Sequence, residues 1–301
     1  MSLRKRAERI ISSPVLGNNK IFNFKISEAN SQFIGLFSKN YGDIIALGIE
    51  DFEFDLELTS ISYPYFSALD GPNGLYIGGL IGYNNGYISR CFSNGTIETT
   101  GNAFNGYSSS GTVRIGGLIG YSKGNIENCF SDVDILTYKN TYITTALTCY
   151  VGGLVGVFYG NKLENCYTLG DIDLRINNEA FINSCKVYAG GIISCIESKN
   201  VSISGCLATG NVSSNTSENS GVRCAGGIVS IISNSSTTTI HSSYRYIDQI
   251  INGDTIEETG MICRLYQLND SDFYLGWLHW PSDFWDASEL DFENYKLPKL
   301  K

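Results

Sequence analysis

The fold is decided by a six-residue stretch, Ile77-Gly78-Gly79-Leu80-Ile81-Gly82, that returns along the chain. It recurs at Ile115–Gly120 and Val151–Gly156, and weaker copies begin at Ala189 and Ala225. The first glycine of each pair falls at 78, 116, 152, 190 and 226, so the period alternates between 38 and 36 residues. A period of this length indicates a repeat architecture, in which each unit buries its apolar side against its neighbours.

A second element follows each copy of the first. Ile88–Ser93 (ISRCFS) matches Ile126–Ser131 (IENCFS) and Leu163–Thr168 (LENCYT), and a short β-like third element such as Gly170–Leu174 comes next. Turns rich in glycine and asparagine separate the elements. Three short strands per unit, repeated in tandem, predict an all-β fold: a right-handed parallel β-helix (β-solenoid) with three short strands per rung and terminal caps.

Proline supports this prediction independently. All five prolines, at 14, 64, 72, 281 and 298, lie outside 73–280. Within 73–280, a residue without an N–H would interrupt a ladder of paired strands.

An α/β repeat and a β-propeller are the alternatives. The inter-repeat segments show no 3.6-residue apolar period, and a propeller blade requires four strands where three are recognised here.

The repeated pattern [IVA]-G-G-[LI]-[IV]-G-Y-x-x-G-x-I-x-x-C-[FY]-S-x-G resembles the GLUG motif, over roughly residues 34–260. That motif occurs in tandem in bacterial surface proteins, adhesins and the non-catalytic parts of some large secreted proteases. The resemblance implies a β-helical scaffold and surface attachment, and it brings no catalytic residue to this chain. It divides the chain into a tail and cap (1–32), the GLUG-like β-helix (33–260) and a C-terminal capping segment (261–301), whose Trp277, Trp280 and Trp285 are interpreted as cap-packing residues.

Composition excludes several partners. The net charge of −9 disfavours nucleic-acid binding, and no apolar run is long enough to insert into a membrane. The GLUG resemblance implies a segment of a larger extracellular or cell-surface protein. Because no signal peptide is recognised near Met1, a cytoplasmic location is the alternative.

The sequence predicts a protein that is not an enzyme and has no cofactor, catalytic residue or metal site.

The cysteines predict a ladder of buried thiols, because four of them fall at one repeat position: Cys91, Cys129, Cys166 and Cys206. A looser second ladder is suggested by Cys149, Cys185 and Cys224. The acidic residues at equivalent repeat positions are interpreted as solvated surface without an accompanying stack of basic residues; they are Glu127, Glu164, Asp134, Asp171 and Asp173.

Aromatic residues supply the candidate binding site. Tyr83 and Tyr121 share a repeat position, Tyr159 lies near it in the next copy, and Tyr107 lies in a polar insertion. Such a stripe either stacks on sugar rings or packs beneath a loop. We expect an adhesin-like scaffold that binds a host or environmental glycan or protein. The alternatives are a carbohydrate-active β-helix, such as a lyase or tail-spike-like hydrolase, and a purely structural stalk.

Overall fold

The computed structural model describes residues 19–28, 31–57, 74–100, 111–140, 147–177, 185–216, 222–233, 237–257 and 259–301. Of the predicted binding residues, Tyr107 lies outside these ranges. The chain winds in coils whose strands stack, parallel and in register, into four long sheets.

Sheets 1, 2 and 3 follow one another around each coil. Sheet 1 consists of Phe33–Ile34, Leu75–Gly78, Gly111–Gly116, Leu147–Gly152, Cys185–Gly190, Arg223–Gly226 and Thr255–Glu257. Sheet 2 consists of Phe37–Asn40, Ile81–Asn84, Ile119–Ser122, Val155–Phe158, Ile193–Ile196 and Val229–Ile232. Sheet 3 consists of Ile44–Ile45, Ile88–Ser89, Ile126–Glu127, Lys162–Glu164, Val201–Ser204 and Thr238–His241.

Sheet 4 completes each coil, and a short C-terminal segment follows it. Sheet 4 consists of Lys20–Phe22, Lys25–Glu28, Gly48–Glu57, Phe92–Thr100, Phe130–Asn140, Tyr167–Thr168, Ile172–Asn177, Leu207–Ala208, Val212–Thr216, Tyr244–Tyr246, Ile251–Asn252 and Met261–Cys263. The C-terminal segment contains an α-helix at Leu265–Leu268, a π-helix at Phe273–Trp277, a 3-10 helix at Phe292–Asn294 and an antiparallel pair of Trp285–Asp286 with Lys299–Leu300. Among the described residues, no helix is long and apolar enough to cross a membrane.

The β-solenoid prediction is confirmed, with one difference in the number of strands. Each repeating coil has four strands rather than three, because the stretch predicted as one strand, Ile77–Gly82, turns a corner at its glycine pair. A Cβ added to Gly78 would lie 2.2 Å from the carbonyl oxygen of Ile81, and one added to Gly79 would lie 2.5 Å from that of Gly117. Only glycine allows the backbone to turn this closely.

The predicted alignment of the repeats is also the structural register. Gly78 pairs with Gly116, Gly116 with Gly152, and the series continues through Gly190 to Gly226. Their inward neighbours stack in the same order and are fully buried, as Ile77, Ile115 and Val151 are. Each such aliphatic side chain contributes roughly 1.5–3 kcal/mol through burial, so the coil interior is a packed core rather than a channel.

One of the two cysteine ladders forms. Cys91, Cys129, Cys166 and Cys206 are free thiols in the core, and the N–H of Cys91 contacts Sγ of Cys129 at 3.4 Å. The predicted second ladder is wrong. Cys149 pairs with Val187, Cys185 with Leu147 and Cys224 with Tyr188. Relative to the position of Cys149, Cys185 is shifted by two residues and Cys224 by one, so the three cysteines do not stack. The one-residue shift places Cys224 on the other face of its strand.

The C-terminal segment lies along the side of the solenoid. The outward residues of sheet 4 form a column whose rings are nearly parallel: Phe92 and Phe130 are 4.8 Å apart, as are Phe130 and Tyr167. The segment covers this column with a second apolar cluster that includes Trp280 and Trp285. Trp277, also predicted to pack in the cap, is instead 58% exposed.

Candidate binding site

The outward side chains of sheets 1 and 2 form one continuous layer of aromatic and cationic groups, most of which are buried. We name it the aromatic face, and it consists of Phe33, Tyr76, Tyr83, Tyr121, Tyr150 and Tyr188 together with Lys39, Arg114 and Lys123. Strand register produces it: Tyr76, Arg114 and Tyr150 are successive partners in sheet 1, and Lys39, Tyr83 and Tyr121 are successive partners in sheet 2.

Its rings pack on one another in fixed geometries. Tyr83 and Tyr121 stack at a centroid distance of 5.6 Å with planes 4° apart, and Tyr76 meets Tyr121 edge to face at 5.8 Å. Tyr150 and Tyr188 make a further stack at 5.2 Å. Aromatic pairs of this kind add about 0.5–1.5 kcal/mol each beyond area burial, so the face is rigid.

Three cations lie against these rings. Nζ of Lys39 is 4.3 Å from the Phe33 centroid, and Nζ of Lys123 is 5.8 Å from that of Tyr83. The guanidinium carbon of Arg114 lies 5.0 Å from the Tyr76 centroid. Cation–π attraction holds such side chains in place while leaving their N–H groups as donors.

The hydroxyls of Tyr76 and Tyr121 remain protonated at neutral pH. Burial raises the pKa of Tyr76 to about 12, although the nearby Arg114 partly offsets the rise. Burial also raises the pKa of Tyr121, and the negative charge of Glu197 adds to that effect. These groups can therefore donate hydrogen bonds but do not act as bases.

The structure brings three predicted residues to this region. Tyr83 and Tyr121 are stacked as their shared position suggests, but they are only 4% and 1% exposed, so the stack itself is packed rather than open. Tyr159 is 47% exposed and lies at the turn after sheet 2. Binding through these tyrosines stays a prediction, and the exposed positions at that turn are the accessible ones.

We call the equivalent positions that follow sheet 2 the turn row, and it consists of Tyr41, Asn85, Lys123, Tyr159 and Glu197. Backbone hydrogen bonds tie the positions after Tyr41 to the preceding coil: the N–H of Lys123 donates to the carbonyl oxygen of Asn84 at 2.8 Å, and that of Tyr159 to the carbonyl oxygen of Ser122 at 2.7 Å. Tyr41 is 64% exposed, and its ring lies 6.3 Å from that of Tyr83. The turn row thus borders the aromatic face.

Tyr41 is a site residue that the sequence reasoning missed. The available signal was the alignment of Asn40-Tyr41-Gly42 with Asn84-Asn85-Gly86 and Ser122-Lys123-Gly124. The polar residues that begin these turns form a side-chain ladder: Nδ2 of Asn40 donates to Oδ1 of Asn84 at 2.8 Å, and Nδ2 of Asn84 donates to Oγ of Ser122 at 2.9 Å. This ladder fixes the base of the turn row.

The acidic residues of sheet 3 contact a lysine and a tyrosine side chain. Nζ of Lys162 contacts Oε1 of Glu127 at 3.2 Å and Oε2 of Glu164 at 2.7 Å, and the hydroxyl of Tyr87 donates to Glu127 at 2.9 Å. The sequence predicts solvated acids without a stack of basic residues, and here a single lysine, Lys162, contacts both acids and bridges adjacent coils. Its pKa is raised, first by the hydrogen bond to Glu164.

Two aspartates of sheet 4 accept hydrogen bonds from backbone N–H groups. Oδ1 of Asp134 accepts the N–H of Asp171 at 2.9 Å, and Oδ1 of Asp171 accepts the N–H of Asn211 at 2.8 Å. Asp173 accepts from Nε of Arg175 at 2.9 Å. Within the described part of the chain, no group of three or more His, Cys, Asp or Glu side chains is arranged to hold a metal ion.

These features define the class of the protein as a β-solenoid of stacked parallel coils with an aromatic outer face. Residues 111–136 match the family model of the GLUG motif, which confirms the resemblance for that copy, and strand register relates the neighbouring coils to it. The crystal structure of a proposed immunoglobulin A1 protease from Bacteroides ovatus is similar, with a TM-score of 0.55 over 95% of this chain and 76% of that chain. At 15% sequence identity this similarity shows the fold alone. No curated protein sequence matches the chain.

Proposed function

We propose that this protein is a non-enzymatic scaffold that binds saccharides through its turn row, which borders the largely buried aromatic face. The observation that carries the proposal is the arrangement of exposed Tyr41 and Tyr159 on either side of exposed Lys123, along one row of the solenoid. An exposed tyrosine offers an apolar ring and a polar hydroxyl, a combination suited to a sugar ring.

Rigidity supports a binding role for this row. Tyr41 contacts the Tyr83–Tyr121 stack, and the Asn40–Asn84–Ser122 ladder fixes the turns beneath. A ligand therefore meets side chains whose backbone is already ordered, which lowers the entropic cost of binding. Recognition residues on turns held by a rigid scaffold are a common arrangement.

The state of the carboxylates supports a non-catalytic role. Hydrolysis of a glycosidic bond uses one protonated and one ionised carboxyl group flanking the bond. Glu127 and Glu164 both contact Lys162, so both carboxylates already have a cationic partner. Asp134 and Asp171 are occupied with backbone N–H groups.

The same cluster gives the second candidate function, cleavage of a polysaccharide. Tyr87, Glu127, Lys162 and Glu164 combine a hydroxyl, two carboxylates and an amine on the outer side of sheet 3. This candidate needs a substrate that displaces Lys162 from one of its two glutamates. For the saccharide-binding scaffold, the proposal includes a location at the cell surface or outside the cell, where the solenoid is one segment of a larger protein.

Binding to a broad glycan array, with reducing-end release assayed on every hit, tests both candidates. We expect binding without release, and we expect a Tyr41→Ala/Tyr159→Ala double variant to lose at least about tenfold in affinity, since truncation of a central aromatic contact residue costs about 2 kcal/mol or more. Tyr266→Ala is the matched control, because Tyr266 is 69% exposed but lies on the Leu265–Leu268 helix. Release of reducing ends that is lost in Glu127→Gln would instead establish the catalytic candidate, and silence on every glycan would favour a structural stalk.

A further inference from the structure

The charge of the binding region differs from that of the whole chain. The chain carries a net charge of −9, yet Lys39, Arg114 and Lys123 all lie on the aromatic face. The acidic residue of the turn row is Glu197, two coils beyond Lys123. Its negative charge acts on Tyr121, Tyr76 and Tyr150. On the aromatic face and the turn row, the positive charges of Lys39, Arg114 and Lys123 therefore lie in coils that precede the coil of Glu197.

Lys123 is the most accessible of these cations. It is exposed, its position is set by the 2.8 Å backbone hydrogen bond to Asn84, and its Nζ rests against the ring of Tyr83. Among the described residues, no carboxylate forms an ion pair with it. An ammonium held over a ring retains N–H donors for an anion that approaches from solvent.

Spacing along the solenoid matches an extended ligand better than a small one. Neighbouring coils are about 4.8 Å apart, and Tyr41, Asn85, Lys123 and Tyr159 occupy successive coils. A chain of sugar units lying along this row meets a ring, an amide, a cation and a second ring in order. The aromatic side chains can stack on sugar rings, and the cation can form an ion pair with an acidic substituent.

We propose that the ligand is an acidic saccharide, and that its carboxylate or sulfate groups bind Lys123 while neighbouring sugar rings stack on Tyr41 and Tyr159. This inference rests on the proposed saccharide-binding function and specifies its ligand class. It makes Lys123 the residue that distinguishes acidic from neutral sugars, because charge complementarity sets specificity.

Isothermal titration calorimetry with four probes tests the inference: oligogalacturonate and chondroitin sulfate as acidic saccharides, and chitohexaose and dextran as neutral ones. We expect the intact chain to bind at least one acidic probe more tightly than both neutral ones. Lys123→Gln should weaken acidic binding about two- to five-fold, the range for one exposed charge contact, and should weaken neutral binding by less. Raising the salt concentration from 50 to 500 mM should weaken only the acidic interaction.

Lys199→Gln is the matched control, because Lys199 is also an exposed lysine after sheet 2 but contacts no ring among the described residues. Equal losses in both variants, or tighter binding of neutral than acidic probes, would overturn the acidic-ligand inference while leaving saccharide binding intact. Binding of no probe would overturn the proposed function as well. Tighter binding of a single-stranded DNA oligonucleotide than of either acidic saccharide would assign the cationic face to a nucleic acid and overturn the inference.

Discussion

The indole Nε1 of Trp285 donates a hydrogen bond of 3.1 Å to Oδ1 of Asn128, 157 residues earlier in the chain. Asn128 lies at the corner between sheets 3 and 4 with a φ of 52°, a left-handed conformation that asparagine tolerates well. Two coils farther on, Nε1 of Trp280 donates to the carbonyl oxygen of Gly205 at 2.6 Å. Two corners of the solenoid, two coils apart, thus hold the C-terminal segment along its side.

This contact predicts that Trp285→Phe lowers the free energy of unfolding by about 1–3 kcal/mol, because the buried Oδ1 of Asn128 loses its donor. Equilibrium urea denaturation measures the change. Trp277→Phe is the control: Trp277 is 58% exposed, so its replacement should change stability by less than about 0.5 kcal/mol. Equal effects of the two substitutions would contradict the fastening role.

The glycine corner makes a second prediction. A Cβ at Gly117 would lie 2.3 Å from the carbonyl oxygen of Gly153 and 2.1 Å from Oγ of Ser131. Gly117→Ala should therefore lower the free energy of unfolding by about 1–3 kcal/mol through overpacking. Gly42→Ala should be nearly neutral in the same denaturation experiment, because no heavy atom lies within 4 Å of its added Cβ. A comparable loss at Gly42 would show that the corner packing is not responsible.

The buried thiol of Cys206 and the buried hydroxyl of Tyr76 predict a loss of stability at alkaline pH. Burial raises the pKa of Cys206 from 9.0 to about 12 and that of Tyr76 from 10.0 to about 12. The folded protein thus holds these protons more tightly than the unfolded chain, so their contribution to stability is complete below pH 9 and is lost as the pH rises toward 12. Urea midpoints at pH 8, 9.5 and 11 should fall in that order. A constant midpoint would show that these groups ionise without unfolding the protein.

Much of the solenoid follows from sequence because each coil repeats the same short-range demands. Gly78, Gly116 and Gly152 occupy equivalent corners, and Cys91, Cys129, Cys166 and Cys206 occupy one core position, as the spacing predicts. The corner at the glycine pair does not follow from the sequence pattern. An apolar run such as Ile77–Gly82 predicts one strand unless the close approach of Gly78 to the Ile81 carbonyl is known.

The candidate site depended more on tertiary structure. A shared repeat position predicts that Tyr83 and Tyr121 are neighbours, and they are. It does not predict their burial, the cations over the aromatic face or the bridge from Lys162 to two glutamates. Those contacts join different coils and different sheets, whose side chains become neighbours only when the coils stack.

The sequence by itself determined the repeat, its register and its inward residues, because every coil must bury an apolar side against the next and a slip of one residue would turn that side outward. Only the tertiary structure decided which outward aromatic residues are accessible. Phe92, Phe130 and Tyr167 form as regular a column as any ligand-binding stripe, yet the C-terminal segment covers them. Tyr41 and Tyr159 remain exposed. Repeat periodicity encodes contacts between adjacent coils, whereas the covering of an outer face depends on a segment distant in the chain.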